Sequence, residues 1–502
     1  MAGDFLYTSA MSHTAGRPTA LFDGYRIGAA FDEMFSAPMR PRPHYKRLHE
    51  HLAGMATSEF HQRQQAADLA YLRQGITFND YRDELGLERP FPVDLVPRII
   101  DAQEWSRLEA GLKQRVHALN LFVHDVYHEQ RILRQSVVPL DLVFGTAGYR
   151  PELRGIKVPN DVYLHISGID LIRDTDGSYT VLEDNVRCPS GVSYVLENRR
   201  VMKHVLPNVF DQYDVRPVND YPQRLREILD DIAPKRGREP VIVVLTPGIN
   251  NSAYFEHSFL AGQMGVQLVE GQDLVVDGGL VHMRTTRGLR RVDVIYRRID
   301  DDFLDPVSFR ADSALGVAGL VGVFRLGGVG LANGIGVGVA DNKAVYHYVP
   351  AMIKYYLGEE PILANVPTYM AGSIDDRAYI LEHLAELVVK AVDQSGGYGM
   401  LIGPHATSAE RSEFRERIRC NPHGYIAQPT IQLSTHPTFV GDGMAGRHVD
   451  LRPFVLYGRD ITVLPGGLTR VALRSGSLVV NSSQGGGSKD TWVLAGDGTS
   501  QC

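Results

Sequence analysis

The sequence has 502 residues, of which 44% are hydrophobic and 22% are charged. This length is enough for roughly three domains with buried cores, and the composition is that of an ordinary globular protein. The formal net charge is -7 and the sequence pI is about 6.2, which gives no basic field for non-specific nucleic-acid binding. We therefore expect no nucleic acid as a main partner.

The cysteines and the N-terminal residues favour one compartment. Cys188, Cys420 and Cys502 are odd in number, far apart and in no metal-ligand spacing, so we expect reduced thiols. The N-terminal residues have no basic stretch leading into an apolar one, and no window has about 18 uninterrupted apolar residues. We accordingly predict a cytoplasmic location and no membrane partner.

The first part of the chain is predicted to be mainly helical. Residues 1–42 contain turn formers and short apolar groups and are predicted as an irregular arm. Apolar residues then recur at helical spacing over about 44–73 and 102–128, which indicates two amphipathic helices. We assign residues 43–157 to a helical layer.

Two extended segments follow, VYLHISGIDLIRD and SYTVLED, and Asp-Thr-Asp-Gly at 174–177 is a strong hairpin turn signal between them. Residues two apart in a strand face the same side, so Glu183 and Asn185 project together, and the hairpin would bring Asp170 beside them. Three oxygen donors on one face suit magnesium. The same residues are equally typical of a polar, solvated sheet face, because acidic residues are common near turns.

A βαβ unit is predicted between about 240 and 270, where the strand VIVVLT, the loop PGINN, the helix SAYFEHSFLAGQMG and the strand VQLVE follow one another. Such a unit favours a parallel sheet with covered faces. Open α/β sheets bind ligands at the loops after their strands, so Asn250 and Ser252 are candidate substrate contacts. Arg297 ends a further strand, VDVIYRR, and could hold a substrate carboxylate or form a structural salt bridge with the acidic residues 300–302.

A lysine and a glycine-rich turn indicate a phosphate site. Helices are predicted near 343–357 and 375–385, and the apolar strand ELVVK then ends at Lys390. A lysine there can place its ammonium beside a phosphate, and a glycine turn lets backbone N–H groups approach phosphate oxygens. Lys343 starts a helix and could reach the same phosphates. A glycine hairpin beside surface lysines is the alternative. The glycine-rich turn consists of Ser395, Gly396, Gly397, Tyr398 and Gly399.

Residues 398–494 are predicted as short strands with glycine turns. In HVDLRPFVL, His448, Asp450 and Arg452 alternate along a strand and therefore share one face. The planar fork of Arg452 could bind phosphate or carboxylate oxygens in two places, or form a cross-strand ion pair. The segment 482–490 could form a lid or a plain flexible turn.

Together these motifs resemble the circularly permuted ATP-grasp family (type 2), which is similar to the synthetase part of glutathionylspermidine synthase. LEDN resembles the final magnesium motif of ATP-grasp enzymes, but here it precedes the lysine and glycine motif instead of following it. The phrases YLHISGID, VIYRRIDDDFLDP, DNKAVY, SGGYGM and HVDLRPFV make the resemblance specific. It runs over nearly the whole chain, from about Phe31 to Leu494.

The resemblance implies an α/β fold with α+β regions, built as a circularly permuted ATP-grasp. The implied parts are a magnesium-binding part over 158–225, a Rossmann-like pre-ATP-grasp domain over 226–342, a lysine and glycine-loop part over 343–494 and a flexible tail over 495–502.

The resemblance also implies roles for the singled-out residues. The implied ligands of two magnesium ions are Asp170, Glu183 and Asn185. The implied phosphate contacts of ATP are Lys343, Lys390 and the 395–399 turn. Gln428 would border adenine at the interdomain hinge, and Lys390 and Arg452 would act in catalysis, with Arg452 stabilising the phosphoryl group in transfer.

The implied reaction uses ATP and magnesium to convert a carboxylate into an acyl phosphate, from which an amine displaces phosphate to form an amide. The partners would be a small-molecule or peptide carboxylate and an amine, and the oligomeric state is left open. Two alternatives use the same residues. One is a phosphotransferase that transfers phosphate to a hydroxyl, and the other is a nucleotide-binding scaffold without chemistry.

Overall fold

The computed structural model describes residues 20–78, 89–234, 237–393, 399–480 and 485–496. Three sheets carry the architecture, and we call them the central sheet, the parallel sheet and the lysine sheet. Helices cover their faces, so the α/β class predicted from the sequence is confirmed.

The central sheet has ten strands. In spatial order its main path consists of Ala364–Asn365, Tyr179–Asn185, Ile166–Arg173, Gly443–Arg452, Leu468–Val471, Gly487–Val493 and Val93–Ile100. The other three strands are Thr435–Val440, Phe454–Tyr457 and Ile461–Val463. Most neighbours are antiparallel, but the two outer pairs of the main path are parallel. Strands from both ends of the described chain therefore meet in one sheet.

The parallel sheet contains the predicted βαβ unit. Its four strands, in spatial order, are Gly330–Ala332, Val294–Arg297, Ile242–Leu245 and Gln267–Val269. Every neighbouring pair is parallel, as the strand–helix–strand pattern predicted. All four lie within 226–342, the range expected for a Rossmann-like domain. The Asn333 side chain accepts from the Ile166 backbone N–H at 2.8 Å and donates to the Val186 carbonyl at 2.8 Å, which ties this sheet to the central one.

The lysine sheet is small. Its strands, in spatial order, are Tyr369–Met370, Tyr425–Pro429, Leu387–Ala391 and Met400–Ile402, all antiparallel. Its own core includes Val389, Leu401 and Ala427, and Phe414 and Ile418 from one covering helix.

The remaining elements complete the layers. The α-helices are Lys46–Ala53, Thr57–Arg73, Ala102–Tyr127, Arg131–Arg134, Leu140–Phe144, Val192–Val205, Pro207–Phe210, Tyr221–Asp231, Tyr254–Met264, Asp301–Leu304, Leu320–Arg325, Lys343–Tyr346, Val349–Leu357, Ile374–Glu382 and Ser408–Cys420. The other strands are Phe35–Ala37 with Arg40–Pro41, Thr77–Phe78 with Arg89–Pro90, and Leu274–Asp277, Leu280–Thr285 and Gly288–Val292 in one three-stranded sheet. None of the helices in the described ranges has the length and apolar character that a membrane span needs.

The predicted helical layer is helical only in part. The helix predicted over 102–128 is Ala102–Tyr127, where Asp101 caps the first turn by accepting from the Glu104 N–H. The pattern over 44–73 breaks into two helices near Gly54. The layer also contains Val93–Ile100, a central-sheet strand that is buried along its whole length. Burial on both faces removes the alternation that would have marked this strand.

Two segments predicted as irregular lie inside the fold. In the predicted arm, Glu33 is 3% exposed and pairs with the guanidinium of Arg98 at 2.5 Å. In the segment predicted as a lid or flexible turn, residues 487–490 belong to the fully buried strand Gly487–Val493, so that prediction is wrong for them. Lys489 there forms a buried ion pair with Asp94. Paired charges thus make buried segments look like solvated ones in the sequence.

Candidate active site

A cavity of about 510 Å³ is lined by side chains of both the central sheet and the lysine sheet. The polar residues of the central sheet in its wall are Asp170, Glu183, Asn185, Asp450, Arg452 and Arg470. Lys390 and Gln428 line it from the lysine sheet, and Lys343 lines it from the first position of its helix. The structure therefore brings together the candidate metal ligands and the candidate phosphate-binding lysines.

The predicted hairpin is present and contains one irregularity. Asp170 lies opposite Glu183, and Gly168 lies opposite Asn185. Leu171 pairs with Val181, so Leu182 is an extra residue, a β-bulge beside Glu183. Leu182, Glu183 and Asn185 all line the cavity. The bulge is thus located where the strand presents its oxygen donors.

Asp170 is held by two arginines. Arg452 donates to both of its carboxylate oxygens, from Nε at 2.5 Å and from Nη2 at 2.8 Å, and Arg470 donates to Oδ2 at 2.7 Å. Arg470 also pairs with Asp450, the residue opposite it in the neighbouring strand. Burial acts to raise the pKa of Asp170, but Arg452 and Arg470 hold that pKa well below its ordinary value. Asp170 is therefore an anion in the native state.

Gly168 packs tightly against the Arg452 side chain. A Cβ at Gly168 would lie 3.3 Å from Cδ of Arg452 and 3.1 Å from Cβ of Pro189. Arg452 also donates from Nη1 to the Ser190 carbonyl at 3.2 Å. The ion pair with Asp170 is the cross-strand pairing that the sequence left open as an alternative for Arg452.

Glu183 carries a different cation. The Lys343 ammonium lies 2.9 Å from Glu183 Oε1, and the two side chains are 13% and 23% exposed. Asn342 caps the Lys343 helix by accepting from the backbone N–H groups of Ala344 and Val345. The cap fixes where the helix starts and therefore where Lys343 lies, so the lysine and the candidate metal ligand Glu183 meet at the cavity.

Lys390 is held by a neutral amide. Its ammonium donates to Gln428 Oε1 at 2.7 Å, and Gln428 Nε2 donates to Thr368 Oγ1 at 3.1 Å. Burial lowers the pKa of Lys390, with Glu183 acting in the opposite direction. Gln428 was expected beside adenine. It lines the cavity, and its side chain is 2% exposed and holds Lys390.

One part of the cavity wall is apolar and comes from three directions. Its residues are Ile172, Leu182, Val388, Met400, Ile402, Ile431, Leu433, Leu478, Val479 and Val480. A flat aromatic ring can be buried between such side chains, while the lysines and arginines of the lining can donate to anionic oxygens. The lining thus offers both apolar side chains and charged groups, the two kinds of contact that a nucleotide needs.

The structure separates the three predicted substrate contacts. Ser252 lines the cavity, whereas Asn250 is exposed and lies outside the lining. Arg297 is also outside it and is 1% exposed. Its guanidinium donates to the backbone carbonyls of residues 299, 333 and 334 and pairs with Asp301 at 2.9 Å. Arg297 therefore has the structural salt bridge that was the alternative, and every side of its fork is occupied.

The glycine-rich turn is described only at its end. Ser395, Gly396, Gly397 and Tyr398 lie outside the described residues. Gly399 has a φ of 63°, a conformation that favours glycine, and its carbonyl accepts from the Ala391 N–H at 3.2 Å. Gly399 thus joins the strand that contains Lys390 to the next strand of the lysine sheet.

Sequence reasoning missed several cavity residues. Arg470 lies in LTRVAL and reaches Asp170 only because its strand pairs with that of Asp450. Arg187, Ser190, Tyr194 and Glu256 also line the cavity. Arg187 follows the LEDN motif by two positions and pairs with Asp341 at 2.6 Å. Strand alternation indicates which face of its strand Arg470 lies on. The strand order that places Arg470 beside Asp170 depends on distant segments and cannot be seen in the local sequence.

The oxygen donors of the site match the ligand preference of magnesium. In the described ranges, no three His, Cys, Asp or Glu side chains come together as a metal site, so the candidate set is two carboxylates and one amide. Magnesium is bound in proteins through one or two carboxylates and keeps waters and phosphate oxygens as its other ligands. The buried amide nitrogen of Asn185 has no hydrogen-bond partner among the described residues. This nitrogen is a donor and does not bind a cation, so the amide oxygen is the candidate ligand. Glu183 and Asn185 fit the ion, and Asp170 fits through the lone pairs that its arginines leave.

The chain is similar in sequence to several known proteins. An uncharacterized protein of Synechocystis sp. is 58% identical over 473 residues, 94% of this chain and 98% of that protein. An uncharacterized protein of Mycobacterium tuberculosis is 54% identical, over 95% of this chain and 87% of that protein. A Frankia casuarinae protein named "Putative glutamate--cysteine ligase 2-2" is 43% identical over 92% of this chain, which spans about half (53%) of that longer protein.

Fold comparison and family comparison give the same result. The structure of a glutathione synthetase-like effector from Globodera pallida in its apo form matches with a TM-score of 0.58 at 12% identity. The match covers 88% of this chain and 98% of that chain, so the fold is shared. The model of the family described as circularly permuted ATP-grasp type 2 matches residues 97–472, a range that contains the whole hairpin, both lysines and Arg452. By this match and by its relatives, the chain belongs to the circularly permuted ATP-grasp family, type 2.

Proposed function

We propose that this protein is an ATP- and magnesium-dependent carboxylate–amine ligase, which forms an amide through an acyl phosphate. The family and the ligase name of the Frankia relative suggest an ATP-dependent ligase. One observation carries the finer proposal. A single cavity contains Lys343, Lys390 and Arg452 beside the oxygen donors of Glu183 and Asn185.

The cavity would hold ATP with its base in the apolar part and its phosphates beside Lys343 and Lys390. Glu183, Asn185 and Asp170 would hold magnesium. Bound there, magnesium would neutralise phosphate charge and polarise the transferring phosphoryl group. Lys343 and Lys390 would orient the phosphates, and Arg452 would stabilise the negative charge that develops during transfer.

The carboxylate substrate would enter beside Ser190 and Ser252, which both line the cavity. Ser190 lies next to Arg452, which donates to its carbonyl. Arg298 donates there to the Pro189 carbonyl at 2.8 Å and to Ser190 Oγ at 2.6 Å. Glu256 accepts from the Gly191 N–H at 2.7 Å and from the Ser193 N–H at 3.1 Å, which fixes the same loop. A loop fixed in this way can hold the substrate carboxylate in one position. Holding two bound reactants in the reactive geometry removes a large part of the barrier to their reaction.

The experiment is calorimetric titration of ATP into the protein with and without magnesium, for the wild type and for Glu183→Gln. We expect magnesium to tighten ATP binding to the wild type, and the variant to lose most of that gain. Glu382→Gln, an exposed carboxylate outside the cavity lining, is the matched control. Absence of ATP binding to the wild type would refute the proposal.

The reaction type needs a second measurement. Acids and amines are screened in pairs for ADP release, because the ligase needs an amine to release its product. ADP release with a hydroxyl acceptor and no amine would instead support a phosphotransferase. ATP binding without turnover on any pair would favour the scaffold.

A further inference from the structure

The strand that presents Glu183 and Asn185 is clamped on its reverse face. Asp184 lies between these two residues and faces the other side of the strand. Arg115, from the helix Ala102–Tyr127, donates to Asp184 Oδ1 from Nε at 2.6 Å and to Oδ2 from Nη2 at 2.7 Å. Both side chains are 1% exposed. The arginine therefore grips the strand in a bidentate, fully buried ion pair.

The same arginine is connected to the helix of Lys343. Its Nη1 donates to Asn365 Oδ1 at 2.7 Å, and Asn365 Nδ2 donates to the Tyr346 carbonyl at 2.8 Å. The guanidinium also lies 5.3 Å from the centre of the Tyr346 ring. Tyr346 is the last residue of the helix that Lys343 begins.

Tyr346 closes the connection. Its hydroxyl donates to the Val181 carbonyl at 2.5 Å, in the strand of Glu183, and accepts from the Val366 N–H at 2.9 Å. The tyrosine is 3% exposed. One helix of four residues thus presents Lys343 to the cavity and holds the metal-ligand strand from behind.

The β-bulge explains why such a clamp is useful. The extra residue, Leu182, interrupts the strand ladder immediately before Glu183. A bulge bends the strand and leaves one residue unpaired, so ladder hydrogen bonds alone fix the next side chains poorly. A bidentate arginine fixes both the position and the orientation of the residue it binds. Arg115 supplies that constraint one residue after Glu183.

We propose that Arg115 and Tyr346 are positioning residues, which set the distance between the metal ligands Glu183 and Asn185 and the phosphate-binding Lys343. This inference rests on the proposed function. Neither residue lines the cavity of about 510 Å³, so both act through others. Residues that orient metal ligands in this way typically change metal affinity about 10-fold to 100-fold when they are replaced.

The test replaces the whole ion pair, as Arg115→Met with Asp184→Val. Exchanging both partners of a buried ion pair for apolar residues is often neutral for stability, whereas removing one partner leaves a buried charge. The measured quantity is the ratio of ATP affinities with and without magnesium. We expect the double variant to keep the magnesium-free affinity and to lose about 10-fold of the magnesium gain.

A matched control exists in the same fold. Arg199, from the helix Val192–Val205, pairs with Asp490 of a central-sheet strand at 2.8 Å, and the two are 5% and 0% exposed. This pair joins a helix to a strand as Arg115 and Asp184 do, but Asp490 lies in the strand Gly487–Val493, which presents none of the candidate metal ligands. Arg199→Met with Asp490→Val is expected to keep the full magnesium gain.

Tyr346→Phe is the second variant, since it removes only the hydroxyl and fills the same space. It is expected to reduce the magnesium gain several-fold, and it decides the question if the double variant does not fold. A wild-type magnesium gain in either folded variant would overturn the positioning role and leave the proposed function intact. A wild type without any magnesium gain would overturn the proposed function, and this inference with it.

Discussion

The two walls of the cavity differ in how their charged side chains are paired. On the central sheet, Asp170 is paired with Arg452 and Arg470, and Glu183 is paired with Lys343. On the lysine sheet, in the strands that the structure describes, Lys390 is the one charged side chain in the wall, and it is held by the neutral amide of Gln428. One wall is neutralised internally, and the other keeps a cation that burial makes costly.

This difference between the two walls predicts how an anion and a cation each contribute to binding. An anion that approaches Lys390 meets an ammonium without a directly bonded carboxylate, so its charge adds to binding without breaking an ion pair. A cation that approaches Glu183 has to compete with Lys343. Metal and nucleotide are therefore expected to bind better together than either does alone, because one releases the lysine that the other uses.

The largest expected effect comes from breaking the paired wall. Asp170→Asn leaves Arg452 and Arg470 with fewer counter-charges in a buried site, and we expect a loss of about 3–5 kcal/mol in the free energy of unfolding. Denaturant unfolding at neutral pH measures it. Asp312→Asn, in an exposed pair with Arg310, serves as the control and should change little.

Acid sharpens the same prediction. The pKa of Asp170 is lowered in the native state, so its contribution to stability is full above its ordinary pKa. That contribution is lost as the pH falls below about 4 towards the lowered native pKa. Asp170→Asn should lack this part of the acid dependence, and an identical dependence in both proteins would contradict the assignment.

The next effect tests the other wall. Lys390→Ala should weaken ATP binding by about 1.5–3 kcal/mol, the usual contribution of a hydrogen bond to a charged group. Calorimetric titration measures it. Lys354→Ala is the control, because Lys354 is exposed, pairs with Glu360 and lies outside the cavity lining. Equal losses in both variants would argue against a specific phosphate contact.

A smaller effect has an unusual sign. Lys343→Met removes the cation that occupies Glu183, so magnesium alone should bind more tightly by on the order of 1 kcal/mol. ATP with magnesium should bind more weakly, because a phosphate contact is lost. Titration of magnesium in the absence of nucleotide distinguishes the two. Weaker binding of magnesium alone would show that Lys343 does not compete for Glu183.

The smallest effect is in the alkaline limb of ATP binding. Phosphate binding needs the protonated lysine, and burial lowers the pKa of Lys390, so wild-type affinity should fall at a lower pH than for an ordinary lysine. Lys390→Arg keeps its charge throughout this range and should flatten the limb. Titrations at rising pH measure it, and parallel limbs in the two proteins would exclude Lys390 as the titrating group.

Local signals predicted the parts of the site that are local in sequence. The turn at 174–177 and the strand alternation predicted Asp170 beside Glu183 and Asn185, and in the structure Asp170 lies opposite Glu183. The βαβ pattern gave a parallel sheet, which is also confirmed. The bulge at Leu182 was not predicted, because it depends on how the partner strand is paired.

Non-local pairing explains what was missed. The strand Val93–Ile100 contains Pro97, which argues against a strand, and its charged Asp94 and Arg98 are buried only because partners arrive from distant segments. Helix Ser408–Cys420 is highly charged and buries only Phe414 and Ile418, so its apolar stripe is narrow. Its start did carry a signal, the capping box of Thr407 and Glu410, which the strand prediction overlooked.

The parallel pairing of Gly487–Val493 with Val93–Ile100 also bears on how the chain folds. Asp94 and Lys489 are separated by 395 positions. Contacts between residues so far apart in the sequence are among the slowest to form during folding. During synthesis the strand Val93–Ile100 has an unpaired edge until Gly487–Val493 has left the ribosome. Unpaired strand edges are prone to aggregate. The sheet that contains Asp170 is therefore complete only when Gly487–Val493 has paired with Val93–Ile100, long after the hairpin that presents Asp170 has been synthesised.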